Sequence, residues 1–145
     1  MNIRPAALII KNEKLLLLKY NYNGYWVYNF PGGNQENNEV IADTLYREMV
    51  EELNIKIEVG DLILVTETTR HNKNETVLHL IFKCEIIENN PVINRNETSA
   101  EEVVWLPIEQ INEVNLYPNI GNQILDSIES KNHKIYIGKI NQPWF

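Results

Sequence analysis

The sequence predicts an α/β fold, and three observations lead there. Two short apolar runs near the N-terminus, Arg4 to Ile10 and Leu15 to Tyr20, have strand-like length and flank the polar KNEK. The stretch from Glu39 to Leu53 then changes to a helical period. Past it, Leu62 to Thr68 and Thr76 to Ile86 return to strand character around the polar TRHNKNE. A chain of 145 residues suffices for one domain, 1–145, that buries about two thirds of its unfolded surface.

Taken in order, the two N-terminal runs read as a β-hairpin of central strands, because strands that are apolar throughout are covered on both faces. Asn and Gly in NYNGYW mark a turn before a short aromatic strand, Trp26 to Phe30, that Pro31 ends. Gly32 and Gly33 then permit a tight loop. The helix follows, with Asn38 as its N-cap and Glu39 in the first turn, where the dipole favours an acid. At about 100° per residue, Ala42, Leu45, Tyr46, Met49, Val50 and Leu53 share one arc, the expected buried face. Asn54 stands where a helix ends on a left-handed residue. Leu78, Leu80, Phe82 and Cys84 form the expected buried face of the later strand, opposite a mixed face of His79, Ile81, Lys83 and Glu85. The polar stretch 88–100 reads as a loop, Val103 to Leu106 as a short strand, and PIEQI from Pro107 as a short helix. A last helix runs from about Ile120 to Ser130, and 135–137 is a strand or an extended tail.

Composition narrows the function. A net charge of −7 disfavours nucleic acid as a partner, so an anionic ligand must be held by local cations. Neither apolar run near the N-terminus approaches the roughly 20 residues that span a bilayer, and no secretory cleavage pattern follows them. A cytoplasmic protein without a membrane partner is expected. The single Cys84 can form no internal disulfide and reads as core packing.

Glu48, Glu51 and Glu52 lie together on a helix arc beside the apolar one, since positions i, i+3 and i+4 stack. Clustering alone decides little, because solvated like-charge pairs cost only a few tenths of a kcal/mol. The spacing is more telling. Gly33, five residues, Glu39, seven residues, Arg47 and Glu48, two residues, then Glu51 and Glu52, with aliphatic Met49 and Ile55 in place, resembles the signature of the Nudix hydrolases. At about 7% per position, six such matches arise by chance roughly once in ten million starts. Trp26 to Phe30, Glu36, Glu102, Trp105, Leu106 and Pro107 also look like family landmarks. Two positions depart from the pattern: Asn38 and Asn54 stand where glycine is usual, and both keep a residue that tolerates a left-handed backbone.

The resemblance implies an α/β/α sandwich with a mixed central sheet and the acidic helix packed on it. It implies Mg²⁺ or Mn²⁺ held by Glu48, Glu51, Glu52 and the Gly33 carbonyl, with Arg47 orienting the acids and Glu39 at the edge. Such hard ions suit carboxylate oxygens and substrate phosphates. The implied reaction is hydrolysis of a nucleoside diphosphate derivative, an ADP-ribose-like sugar nucleotide or a nucleoside triphosphate, with release of a nucleoside monophosphate. Glu48 is the first candidate for the base that takes the attacking water's proton; Glu97, Glu101 and Glu102 are the others. For substrate contacts the candidates are Arg4, Tyr28 and Arg70, with His71 and the aromatics Tyr22, Tyr25 and Trp26 beside them. His79 has no visible partner and receives no role. Trp144 and Phe145 would cap an apolar surface or help a homodimer. A nucleotide sensor without turnover is the alternative reading, and it leaves the complete set of acids unexplained.

Overall fold

Alternation along two apolar runs sets the layering of this protein, seen in a computed structural model that describes residues 1–70 and 73–143. Successive side chains of a strand point to opposite faces. Leu15 and Leu17 accordingly join a core with Ala6, Leu8, Phe30, Leu64 and Ile81, whereas Leu16 and Leu18 join a second one with Ala7, Ile9, Leu45 and Met49. Helix α1 (Ile41–Leu53) covers the second core, and a 3-10 helix (Ile108–Glu113) with α2 (Gly121–Glu129) covers the first. The result is the expected α/β/α layering, with a β layer that consists of two sheets.

The first sheet holds β1 (Asn2–Leu8), β6 (Glu75–Glu88), β5 (Lys56–Arg70) and β9 (Tyr136–Lys139), in that order. It is mixed: β1 runs parallel to β6 and β9 parallel to β5, whereas β5 and β6 are antiparallel. The second sheet orders β2 (Ile10–Lys11), β3 (Lys14–Tyr22), β4 (Tyr25–Asn29) and β8 (Leu116–Tyr117), with β7 (Glu102–Pro107) also paired to β3.

The expected N-terminal hairpin is therefore mostly absent. Antiparallel pairing between its two runs is confined to Ile10↔Leu15 and Lys11↔Lys14. Before Ile10 the chain leaves for β6, matching Asn2↔Val77 through Leu8↔Lys83. An all-apolar strand announces that it is buried without naming its neighbours.

Helix α1 starts at Ile41, two residues later than expected, and its N-cap is Val40 without a side-chain cap. Asn38 instead turns the chain at φ 64°. The helix is also rotated about its axis: Thr44, Leu45, Met49 and Leu53 are buried, whereas Tyr46 and Val50 are 40% and 50% exposed. The arc that Tyr46 and Val50 were expected to fill is shifted toward Glu48 and Glu52. Asn54 ends the helix in the left-handed region (φ 54°, ψ 38°).

Strand β5 begins at Lys56, well before the expected Leu62, because irregularities between Val59 and Leu64 break the alternation that would have revealed it. In β6 the buried face is Val77, His79 and Ile81, and the faces are thus exchanged relative to expectation over this stretch; Cys84 is buried as expected. Among the described residues no helix is long and apolar enough to cross a membrane. His71, Trp144 and Phe145 lie outside the described residues.

The rotation of α1 yields a test by urea denaturation. Met49→Ala should cost about 2–5 kcal/mol, as truncations in a packed core do, whereas Val50→Ala should stay within about 0.5 kcal/mol, as surface changes do. Equal losses would contradict the rotated face.

Candidate active site

The glycine loop is strapped along β1. Ala7 donates its N–H to the Pro31 carbonyl at 2.8 Å, Gly33 to Pro5 at 3.3 Å, and Gln35 to Ile3 at 2.9 Å. A side chain at Gly32 would overlap the Pro5 carbonyl and the Ala6 backbone, and one at Gly33 would occupy the position of the Glu48 carboxylate. Gly32 is thus required by close approach to backbone, and Gly33, set against the Glu48 carboxylate, couples the loop directly to the helix. The fixed distance between Gly33 and Glu48 in the sequence has this contact as its physical cause.

Arg47 joins the acids. Its Nε donates to Glu39 Oε2 at 2.8 Å and its Nη2 to Glu39 Oε1 at 3.1 Å, a fork that matches the planar carboxylate. Its Nη1 reaches Glu48 Oε1 at 3.0 Å and Glu51 Oε2 at 3.2 Å. Glu39 Oε1 also accepts from the Thr44 hydroxyl at 2.6 Å and from the Glu36 amide at 3.1 Å. These donors, Arg47 first and Thr44 next, hold the Glu39 carboxyl down at about 2. The same contacts raise the Arg47 pKa, with Glu39 as the largest cause. Asp43, four residues before Arg47, forms no ion pair with it; Glu36 lies within 3.7 Å of Nη1 instead.

Glu48 and Glu52 differ from Glu51. They are partly buried and share a hydrogen bond, and burial raises both carboxyls, that of Glu52 to about 8 with the Glu48 charge as the next cause. Glu52 Oε2 is buried with no hydrogen-bond partner. Glu51 is half exposed and turned to Arg47. Among the described residues, no three His, Cys, Asp or Glu side chains converge on one point. The donor set still fits a divalent cation. Two adjacent buried carboxylates, one with an unpartnered oxygen, are what a Mg²⁺-like ion needs from a protein when phosphate and water complete its shell. Glu48 and Glu52 would hold it, with Glu51 and the Gly33 carbonyl close by.

A cleft of about 250 Å³ lies beyond the loop, lined among others by Arg4, Tyr20, Tyr22, Asn29, Arg70 and Tyr117. Arg4 and Arg70 are thus brought together. Arg4 donates from Nη2 to the Phe30 carbonyl at 3.0 Å and lies 5.6 Å from the Tyr117 ring centre, and its Nη1 is buried without a partner. Arg70 is 3.8 Å from Glu75. Tyr28 is not in this lining; it packs against the core of Leu15 and Phe30, because alternation along β4 turns it away from Asn29. Tyr25 and Trp26 are exposed on β4, where Lys19 Nζ lies 4.3 Å from the Trp26 ring centre. Of the loop acids, Glu102 pairs with Lys19 at 3.4 Å, and Glu97 and Glu101 are exposed. Their loop is fastened to the end of α1, where Val92 and Asn94 donate to the carbonyls of Leu53 and Glu52 at 3.0 and 2.9 Å.

Sequence reasoning missed Thr44, Asn29, Tyr117 and the setting of His79. His79 is fully buried, 2.8 Å from the Thr68 hydroxyl and edge-on to Tyr117, and burial lowers its pKa to about 3. Its place opposite Arg4 in the β1–β6 register puts it directly behind the cleft. Thr44 had a signal, its position five residues from Glu39 on the side of Glu48. Asn29 and Tyr117 had none, because their pairing joins β4 to the distant β8.

The Glu52 shift gives a pH prediction for the metal-free protein. A carboxyl raised on folding stabilises below its ordinary value near 4.5, and that contribution is lost as pH climbs through about 8. The Tm in EDTA should therefore fall between pH 5 and 8, and Glu52→Gln should flatten the fall. Added Mg²⁺ should raise Tm more at pH 8 than at pH 5. A flat wild-type profile would contradict the buried pair.

Comparison with known proteins bears on the fold and the family. Over 113 residues the chain is 26% identical to a MutT-like protein of Streptomyces ambofaciens, covering 77% of this chain and 68% of that one. A Nudix hydrolase structure from Nitrosomonas europaea superposes with a TM-score of 0.75 at 20% identity, covering 92% of each chain. An ADP-ribose pyrophosphatase of Streptococcus suis superposes at 0.66 with 18% identity, covering 97% of this chain and 98% of that one. The family model described as NUDIX domain matches residues 1–126. With the glycine loop, Glu39, Arg47 and the buried acids in place, this chain belongs to the Nudix family.

Proposed function

We propose that this Nudix pyrophosphohydrolase cleaves the diphosphate linkage of a nucleoside diphosphate derivative with Mg²⁺, Mn²⁺ serving in its place, and releases a nucleoside monophosphate. The observation that carries the reading is the buried Glu48–Glu52 pair, braced by Arg47 and adjacent to a cleft with Arg4 and Arg70 at its wall. Arg47 neutralises Glu48 but makes no contact with Glu52, whose buried Oε2 has no partner, and a bound cation would satisfy that oxygen. A bound divalent cation would supply charge neutralisation at the diphosphate and a more acidic water.

The residues of the chain divide the remaining work. Arg47 and Glu39 fix the helix face to the loop, so that Glu48 and Glu52 keep their positions when a charged substrate arrives. Arg4 and Arg70 take the anionic end of the substrate. Glu48 accepts the proton of the attacking water, because burial makes it more basic than an ordinary carboxylate while the Arg47 contact keeps it oriented. The candidate substrates are ADP-ribose-like sugar nucleotides and nucleoside triphosphates; the Streptococcus suis relative is named for the first of these.

A panel of both classes, incubated with Mg²⁺ or Mn²⁺, should yield a nucleoside monophosphate from at least one compound. Glu48→Gln should lower kcat by about 10²–10⁴-fold, the usual contribution of a general base. Glu52→Gln should abolish the saturable dependence on Mg²⁺. Arg47→Lys, which loses the fork, should cost about 10–100-fold, as removal of a partner that orients a ligand does. Full activity in Glu52→Gln would refute the metal assignment, and tight binding of a compound without turnover would refute hydrolysis.

A further inference from the structure

Glu52 stands in the last turn of α1, and its backbone is held from outside the helix. Its carbonyl accepts from the Asn94 amide at 2.9 Å. Asn94 is in turn the hub of the chain that follows: its own carbonyl accepts from the Glu97 and Thr98 amides at 3.0 and 3.2 Å, and its side-chain oxygen from the Asn96 amide at 3.2 Å. Apolar packing holds only the ends of this turn. Ile93 and Ala100 reach the core that α1 covers, whereas Asn94 to Glu97 are exposed between them. With so little buried apolar surface, hydrogen bonds decide where the turn sits.

One side-chain bond ties the turn to the sheet. The Tyr20 hydroxyl lies 3.1 Å from Thr98 Oγ1, which also accepts from the Ala100 amide at 3.2 Å. Alternation along β3 turns Tyr20 to the side of Leu16 and Leu18, the side that α1 covers. Its backbone is paired with Val27 of β4, and its ring stacks on Tyr22 at 5.6 Å between centres. Tyr20 is therefore a rigid post. Burial pushes its hydroxyl up to about 12; the Thr98 bond opposes the rise, and the Glu52 charge adds to it. The group stays a neutral O–H, near enough to Glu52 to feel the carboxylate.

We propose that Tyr20 is a positioning residue for the metal-holding carboxylate: through three hydrogen bonds in series, Tyr20 to Thr98, Thr98 to Asn94 and Asn94 to Glu52, strand β3 sets where Glu52 stands. This rests on the reading of Glu48 and Glu52 as a divalent-cation site, and it adds that the accuracy of that site is fixed by residues outside the signature. Tyr20 touches no reacting atom in this scheme. Groups that orient a metal ligand from behind act on metal affinity, because an ion gains most from oxygens already in place.

Titration of the substrate-free protein with Mn²⁺, followed by the paramagnetic resonance of the free ion, reads the site without turnover. Tyr20→Phe removes one oxygen and keeps the ring. It should weaken Mn²⁺ binding about 3–10-fold, because the series transmits no more than its one lost hydrogen bond contributes. Thr98→Val should lose at least as much, and Thr98→Ser, which keeps the hydroxyl, should bind as wild type does. The double variant Tyr20→Phe/Thr98→Val should lose no more than Thr98→Val alone, as partners in one bond do. Amide exchange at Asn94 and Thr98 should quicken by a like factor in Tyr20→Phe. Ile124→Val, in the core on the opposite face of the sheets, controls for lost stability and should leave Mn²⁺ affinity unchanged. If Tyr20→Phe fails to fold by its Tm, Thr98→Val against Thr98→Ser decides on the same affinity. Wild-type binding with an unchanged affinity in Tyr20→Phe and Thr98→Val, or an equal loss in Ile124→Val, overturns this inference alone. No Mn²⁺ binding by wild type overturns the metal reading and this inference with it.

Discussion

The fork between Arg47 and Glu39 holds the site together. The loop from Pro31 to Val40 carries no regular structure apart from its strap on β1, and the helix behind it begins without a side-chain cap. One guanidinium closes that gap by binding the acid that precedes the helix and two acids on the helix itself. It also offsets their mutual repulsion. Five donors in one plane make arginine suited to this, and a lysine would supply the charge without the geometry.

Because loop and helix are clamped, the helix can be rotated away from its best hydrophobic orientation. Tyr46 and Val50 face outward so that Glu48 and Glu52 can turn inward. The rotation gives up apolar burial and places two carboxyls where neither ionises freely. Stability is thus lower at the position where charge must be held, a common trade at functional sites. Gly33 completes the arrangement, since the space its missing side chain leaves is the space Glu48 fills.

Much of this was legible in the sequence, and the parts that were not share a cause. Glu39, Arg47 and the three glutamates were readable because helical spacing and close loop contact are local constraints. The layering was readable from Leu15 to Leu18, whose uniform character requires burial on both faces. Uniformity also hid the topology: Ala6, Ala7 and Leu8 of β1 are apolar on both faces and fit any partner, so the parallel pairing of β1 with β6 left no trace. The cleft depends on such distant pairings. Asn29 meets Tyr117, and Arg4 meets His79, only through strand neighbours separated widely in sequence. Tyr28 was a candidate on residue type, and alternation turns it to the side of its strand that packs on the core of Leu15 and Phe30, away from this cleft.

The fastening of the stretch 89–101 to the end of α1 has one more consequence. The last carbonyls of a helix are left open by its own geometry, and here the amides of Val92 and Asn94 close two of them. Loop and terminal turn are thereby tied to each other. The residue at the boundary is Glu52. Its positional accuracy is inherited from a segment remote in sequence, so drift in that segment's length or composition would blur the carboxylate without altering a single residue of the signature.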